Sequence, residues 1–257
     1  MNIIILAAGK GERLRPLTDE RPKCLVPLLG MSLLERQATI INELGLPEPV
    51  VVTGYRGEMI QELGFEVRRN ERFATTNMVE SLFAAEDVMK RGGDTVVIYG
   101  DIVYQKEVLQ KLLASEGQVS LAIDREWERY WRVRMEDPLD DAETLKLDDQ
   151  ARILELGKKP QSIDEIQGQY IGMIKFSAHC INDIVDFYHG LDRSALFDGK
   201  DFDNMYMTSF LQALINNGFT AQGVEIENGW LEVDSTEDLA AYESLAATGD
   251  LAKFYNV

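Results

Sequence analysis

The chain has 257 residues, 45% of them hydrophobic and 27% charged, with a formal net charge of −18. That length and apolar content suffice for a large buried core, arranged as one large α/β domain or two small ones. The acidic balance argues against a nucleic-acid backbone binder, which needs a basic stripe, and no apolar run reaches the roughly 18 residues a membrane span requires. Cys24 and Cys180 stand far apart, so no disulfide framework is expected and a reducing compartment is. The apolar start Met1–Leu6 is short and lacks a charged leader, so no signal peptide is expected and the cytoplasm is the expected location.

In chain order, Asn2 to Leu6 reads as a buried strand, β-branched on both faces, and Gly9 and Gly11 follow it. Ser32-Leu-Leu-Glu35 is a capping box that opens a helix, with Gly45 as its stop. Pro49 to Thr53 is a second strand. Asn77 caps a helix running to about Arg91, with Glu80 at the third helical position. Thr95 to Tyr99 is a third buried strand, ending at Gly100-Asp101, and Val119 to Ile123 a fourth. Arg125 to Asp149 is charged and aromatic without a clean period and reads as an inserted lid or hairpin. Tyr170 to Phe176 is another strand, and Asp203 to Asn217 a helix closed by Gly218. Ser235 caps a last helix from Thr236 to about Ala246, with Asp238 at the third position. His179 and His189 fall in or near an amphipathic helical stretch and read as structural.

This alternation predicts an α/β fold: a doubly wound, mostly parallel, Rossmann-like sheet with helices on both faces and a small inserted lid or hairpin. No repeat, low-complexity tract or linker is visible. One domain over residues 1–257 is expected, with the insertion at about 125–149 contributing to a ligand pocket.

The stretch Leu6-Ala-Ala-Gly-Lys-Gly-Glu-Arg-Leu-Arg-Pro-Leu-Thr18 begins at the carboxyl end of the first strand, where open α/β sheets bind ligands. Ala7, Ala8 and Gly9 carry almost no side chain, so a base or phosphate chain can approach the backbone closely, and Leu6, Ala7, Ala8, Gly9, Lys10 and Gly11 are the expected nucleotide-binding residues of the loop. Lys10, Arg13, Arg15, Arg21 and Lys23 reverse the local charge of an acidic chain, which suits a triphosphate. The loop is not a Walker loop, because no Gly-Lys-Ser/Thr follows, nor a dinucleotide fingerprint, because the third glycine is missing. Asp101 ends a strand on the same sheet edge. Downstream, Glu232 and Asp234 lie two apart and would share one face of a strand. Carboxylates converging there would make an oxygen site for a divalent cation.

Leu6-Ala-Ala-Gly-x-Gly-x-Arg-Leu-x-Pro-Leu-Thr18, followed by Pro22-Lys23 and Pro27, closely resembles the signature of nucleotidyltransferases of the sugar-phosphate and phosphocholine type. The resemblance implies that the loop wraps a nucleotide and that Arg13 and Lys23 hold its phosphates. It implies that Asp101 and Asp234, with Glu232, ligate Mg²⁺. It places Lys159 of Gly157-Lys-Lys-Pro160 against the acceptor phosphate. Sugar-specific members often carry Glu where Lys158 stands, and Trp-x-Asp-Thr where this chain has Trp230-Leu-Glu-Val-Asp234-Ser. Both departures move the expectation from sugar phosphates towards cytidylyl transfer from CTP to phosphocholine or aminoethylphosphonate, with a phosphoamide as a further candidate acceptor. Thr75 to Ser81 resembles a base- and acceptor-lining segment, which adds Asn77 and Ser81 to the nucleotide site; Gly100, next to Asp101, is expected there too. Aromatic faces near carboxylates suit an ammonium group, so Tyr130, Trp131, Tyr206 and Trp230 are the expected acceptor contacts. The partners expected are a nucleoside triphosphate and a small phosphorylated acceptor, with neither nucleic acid nor membrane, in a monomer or homodimer. The alternatives are a sugar-1-phosphate uridylyl- or thymidylyltransferase, and a nucleotide-binding regulatory subunit without turnover.

Overall fold

The computed structural model describes residues 1–256. Strand β1 (Asn2–Ala7) leads through a basic loop to a short hairpin, β2 (Pro27–Leu28) and β3 (Met31–Ser32). Helix α1 (Leu33–Glu43), β4 (Val50–Thr53), α2 (Gly57–Glu62), β5 (Glu66–Arg69), α3 (Met78–Phe83) and α4 (Glu86–Met89) follow. Then come β6 (Thr95–Tyr99), β7 (Ile102–Tyr104), α5 (Lys106–Ala114), β8 (Val119–Asp124), α6 (Trp127–Arg134), β9 (Leu145–Leu147) and β10 (Ile153–Leu156). The chain closes with β11 (Gln169–Phe176), α7 (Ile181–Gly190), α8 (Met207–Asn216), β12 (Ala221–Ile226), β13 (Trp230–Glu232) and α9 (Thr236–Thr248).

Seven strands form the central sheet in the order β12-β8-β11-β6-β1-β4-β5. β1 pairs in parallel with β4 on one side and β6 on the other, and only β11 runs antiparallel to its neighbours. The strand order therefore reverses at β1, and the loop leaving its carboxyl end opens onto the crevice where such sheets bind ligands. Side-chain alternation splits β1 between two cores. Ile3 and Ile5 join α1, α5, α6 and α9 on one face, whereas Ile4 and Leu6 join α3, α4, α7 and α8 on the other. The doubly wound, mostly parallel sheet is thus present. Among the described residues, no helix is long and apolar enough to cross a membrane.

Three local expectations need correction. The helix expected from Asn77 to Arg91 is two helices, α3 and α4. Its buried positions, Val79, Leu82, Ala85 and Val88, recur every third residue, and a 3.6-residue helix would rotate that row off the core. Tight i→i+3 bonds, Ala85 to Leu82 and Val88 to Ala85, restore the register. The helix expected from Asp203 starts only at Met207, because residues 202–204 form a separate 3-10 turn capped by the Asp201 side chain. The insertion is no hairpin over 125–149. It holds α6, a 3-10 turn and β9, and β9 pairs with β10, which follows the insertion. Trp127, Tyr130, Trp131 and Arg134 form one helical stripe whose last member is an arginine, and that polar residue hid the period.

Candidate active site

The β1 loop is held from below. Leu14 is fully buried, and the Thr18 hydroxyl donates to the Gly11 carbonyl at 2.8 Å. Lys23 opens a 3-10 turn beside the buried Cys24. Burial pushes the Cys24 thiol up to about 12, so it packs as an apolar group and is no nucleophile. A Cβ on Gly100 would come within 2.8 Å of the Leu6 carbonyl oxygen and 3.0 Å of the Ala7 Cβ. Glycine there lets the ends of β1 and β6 close on one another, which sets Asp101 against the loop.

Asp234 reaches the same place by a different route. β13 pairs antiparallel with β7, and the Val233 amide donates to the Asp101 carbonyl at 2.9 Å. The next turn is a capping box: the Asp238 carboxylate accepts from the Asp234 and Ser235 amides at 2.9 and 3.0 Å. The Lys23 ammonium then lies 2.8 Å from Asp101 Oδ2 and 2.6 Å from Asp234 Oδ1. Arg13, largely exposed, also pairs with Asp234. Asp101 Oδ1 is buried and has no hydrogen-bond partner.

Two cavities adjoin, and Lys23, Asp101 and Asp234 line the first of them. The first, of about 440 Å³, is lined by Leu6, Ala7, Ala8, Gly9, Gly11, Arg13, Lys23, Asn77, Ser81, Gly100, Asp101 and Asp234, together with Phe73 and Thr76. The second, of about 200 Å³, has aromatic walls in Tyr99, Trp131, Tyr170, Tyr206 and Trp230, and acids in Asp141, Glu143 and Glu232. Met78 lines both. Burial, reinforced by the neighbouring Asp141, pushes the Glu143 carboxyl up to about 7, while the Thr208 hydroxyl opposes the rise.

The structure gathers most of the expected residues and separates four. Lys10 is exposed and outside the lining of the first cavity. Lys159 is exposed and donates to the carbonyls of Leu139 and Asp140, at 2.8 Å for the latter, so it lines neither cavity. Tyr130 is fully buried. Its hydroxyl accepts from the Glu232 amide at 2.7 Å and bonds the Tyr242 hydroxyl at 2.6 Å, so it supports the acidic strand instead of facing a ligand. Glu232 does not share a face with Asp234. β13 ends at Glu232 and the chain turns into the cap, while Arg134 holds the Glu232 carboxylate at 2.5 Å. His179 and His189 line neither cavity; His189 pairs with Glu86 on the surface at 2.7 Å.

Arg134, Asp141 and Glu143 were not expected in the site. Arg134 is legible as the fourth member of the α6 stripe. Asp141 and Glu143 lie in irregular chain, where no spacing points inward.

Among the described residues, no group of three or more His, Cys, Asp or Glu side chains is arranged to hold a metal ion. Two carboxylates, one with an orphaned buried oxygen, are nonetheless an ordinary protein share of a Mg²⁺ shell, since Mg²⁺ takes its remaining oxygens from water and substrate phosphates.

A family model for the MobA-like NTP transferase domain matches residues 3–163. Over 248 residues the chain is 40% identical to a CTP:phosphoglutamine cytidylyltransferase of Campylobacter jejuni, covering 93% of this chain and 98% of that protein. Among solved structures, a CTP:phosphocholine cytidylyltransferase from Streptococcus pneumoniae gives a TM-score of 0.71 at 21% identity over 95% of this chain and 98% of the other. An inositol-1-phosphate CTP transferase from T. maritima gives 0.73 at 20% identity over 100% and 98%. At that identity the two structures speak to the fold alone.

Proposed function

The chain belongs to the MobA-like NTP transferase family and is a nucleotidyltransferase, and on that premise we propose that it moves CMP from CTP onto a small amine-bearing phosphorylated acceptor, releasing pyrophosphate. Phosphoglutamine is the first candidate acceptor, given the 40% identity to the Campylobacter jejuni enzyme. The observation that carries the reading is the pairing of the two cavities. Gly100, Asp101 and Asp234 line the first, Tyr99, Ile102 and Glu232 the second, and Met78 both.

The nucleotide occupies the first cavity. A Cβ at Gly9 would meet no atom within 4 Å, so the protein itself does not demand glycine there. The bare backbone leaves that space to a ligand. Arg13 and Lys23 hold the phosphates, and Asn77 and Ser81 line the same cavity. Asp101 and Asp234 would hold Mg²⁺, which supplies charge neutralisation on the phosphate oxygens. Glu232 pairs with Arg134.

The acceptor occupies the second cavity with its phosphate towards Lys23. Trp131, Tyr206 and Trp230 offer faces to an ammonium group. A phosphate oxygen of the acceptor attacks the α-phosphorus; the new O–P bond forms as the bond to the β-phosphate bridging oxygen breaks, and its electron pair leaves on pyrophosphate. The attacking oxygen of a phosphoryl or phosphonyl group is already ionised at neutral pH, so no base is required, in keeping with the placement of both histidines outside these two cavities. Acceleration then comes from alignment and from cations placed where charge develops.

The test is a matrix of the four nucleoside triphosphates against phosphoglutamine, phosphocholine, aminoethylphosphonate and glucose 1-phosphate, read as pyrophosphate release. The reading expects CTP with an aminated acceptor. Turnover confined to glucose 1-phosphate with UTP or dTTP would overturn it.

A further inference from the structure

The second cavity contains three acids and no lysine, arginine or histidine in its lining. Two of those acids are already engaged. Glu232 is paired with the buried Arg134 at 2.5 Å, and Asp141 accepts from the Trp131 indole nitrogen at 3.1 Å. Glu143 is different: among the described residues its carboxylate makes no ion pair, although its position is rigidly fixed. The Glu143 amide donates to the Gln169 side-chain oxygen at 3.1 Å, and the Gln169 side-chain nitrogen donates back to the Glu143 carbonyl at 2.5 Å. Gln169 is itself buried on β11. A two-point clamp from the central sheet thus holds an acid with no cation partner at the wall of a small aromatic cavity.

Such an arrangement costs stability unless a cation arrives, because a half-buried carboxylate with only the Thr208 hydroxyl beside it is poorly solvated. We propose that Glu143 is a specificity-determining residue that binds the acceptor's ammonium group and so selects aminated acceptors over otherwise identical ones without the amine. The inference rests on the acceptor-site reading given above and adds to it the residue that reads the charge. The aromatic walls accept any cation, whereas a carboxylate also accepts hydrogen bonds, so a primary ammonium is favoured over a trimethylammonium. The raised ionisation range of the Glu143 carboxyl agrees with a group whose natural counter-ion comes with the substrate.

The experiment crosses the presence of the amine with the presence of the carboxylate. Wild type, Glu143→Gln and Glu143→Asp are assayed by pyrophosphate release with CTP and either phosphoglutamine or its analogue lacking the α-amine. The expected result is that Glu143→Gln raises the KM for phosphoglutamine roughly 10- to 100-fold, the range of a hydrogen bond to a charged group. Its KM for CTP and its use of the analogue should stay within about threefold of wild type. Glu143→Asp should recover part of the loss. Equal loss on both acceptors marks general damage to the pocket and overturns the inference, as does a wild type that uses both acceptors equally well. Absence of pyrophosphate from wild type with every acceptor would overturn the function reading itself. An active wild type whose Glu143→Gln variant is unchanged overturns only the present inference.

Discussion

The Lys23 ammonium donates to Asp234 Oδ1 at 2.6 Å across 211 positions of sequence, and the same nitrogen donates to Asp101 Oδ2 at 2.8 Å. A lysine from the β1 loop is therefore the counter-ion of both acids that end the neighbouring strands. Its place in the chemistry and its place in the resting protein can be tested separately.

For chemistry, Lys23→Ala is expected to lower kcat with CTP by 10²–10³, about 3–4 kcal/mol of transition-state stabilisation. The far-UV circular dichroism should be unchanged, because the lysine sits at the cavity and not in either core. Near-normal turnover in a folded variant would remove Lys23 from the mechanism.

For the resting protein, Lys23 stands where a cation shared by Asp101 and Asp234 would sit. Lys23→Met leaves Asp101 without its cation and Asp234 with Arg13 alone. Titration with Mn²⁺ without nucleotide, followed by the loss of its free electron-spin-resonance signal, should show tighter binding in the variant than in wild type. Equal affinities would mean that the ammonium and the metal do not compete for those oxygens.

Glu143 gives a signed pH effect. Its folded carboxyl titrates near 7, against an ordinary 4.5. Between these values the unfolded chain has lost the proton that the native protein retains, so stability falls as pH rises through that window. The contribution is at most about 3 kcal/mol at 1.36 kcal/mol per pH unit. Glu143→Gln escapes it. Thermal melts should find the variant close to wild type at pH 5 and more stable at pH 8.5. A stability difference that does not change with pH would show that burial does not raise this carboxyl.

Tyr130 predicts a loss of stability in place of a lost ligand contact. Its hydroxyl, the Tyr242 hydroxyl and the Glu232 backbone form a closed set of bonds at 2.6–2.7 Å. Tyr130→Phe strands the buried Glu232 amide, at a cost of roughly 1–3 kcal/mol. For a chain of this size that lowers Tm by roughly 2–12 °C. Calorimetry would detect it. An unchanged Tm would mean that water replaces the hydroxyl.

Local sequence determined the parts that depend on neighbours along the chain. The β-branched run of β1, the capping boxes at Ser32 and Ser235, and the small residues of Leu6–Gly11 each have a cause within a few positions, and the structure has each of them. The resemblance of that loop to the nucleotidyltransferase signature was enough to indicate the reaction class. Tertiary structure alone decided which charges meet. Five cations crowd one loop, yet only Arg13 and Lys23 line the cavity. Glu232 and Asp234 lie two apart, yet they face different cavities, because the strand ends between them and Arg134, from a distant helix, takes one of them. Glu143 carries no local signal, since its burial comes from a clamp on β11. Periodicity reports the face on which a side chain lies within its own element. Ion pairing and desolvation depend on distances between elements, and those are set only when the two cores close on the sheet.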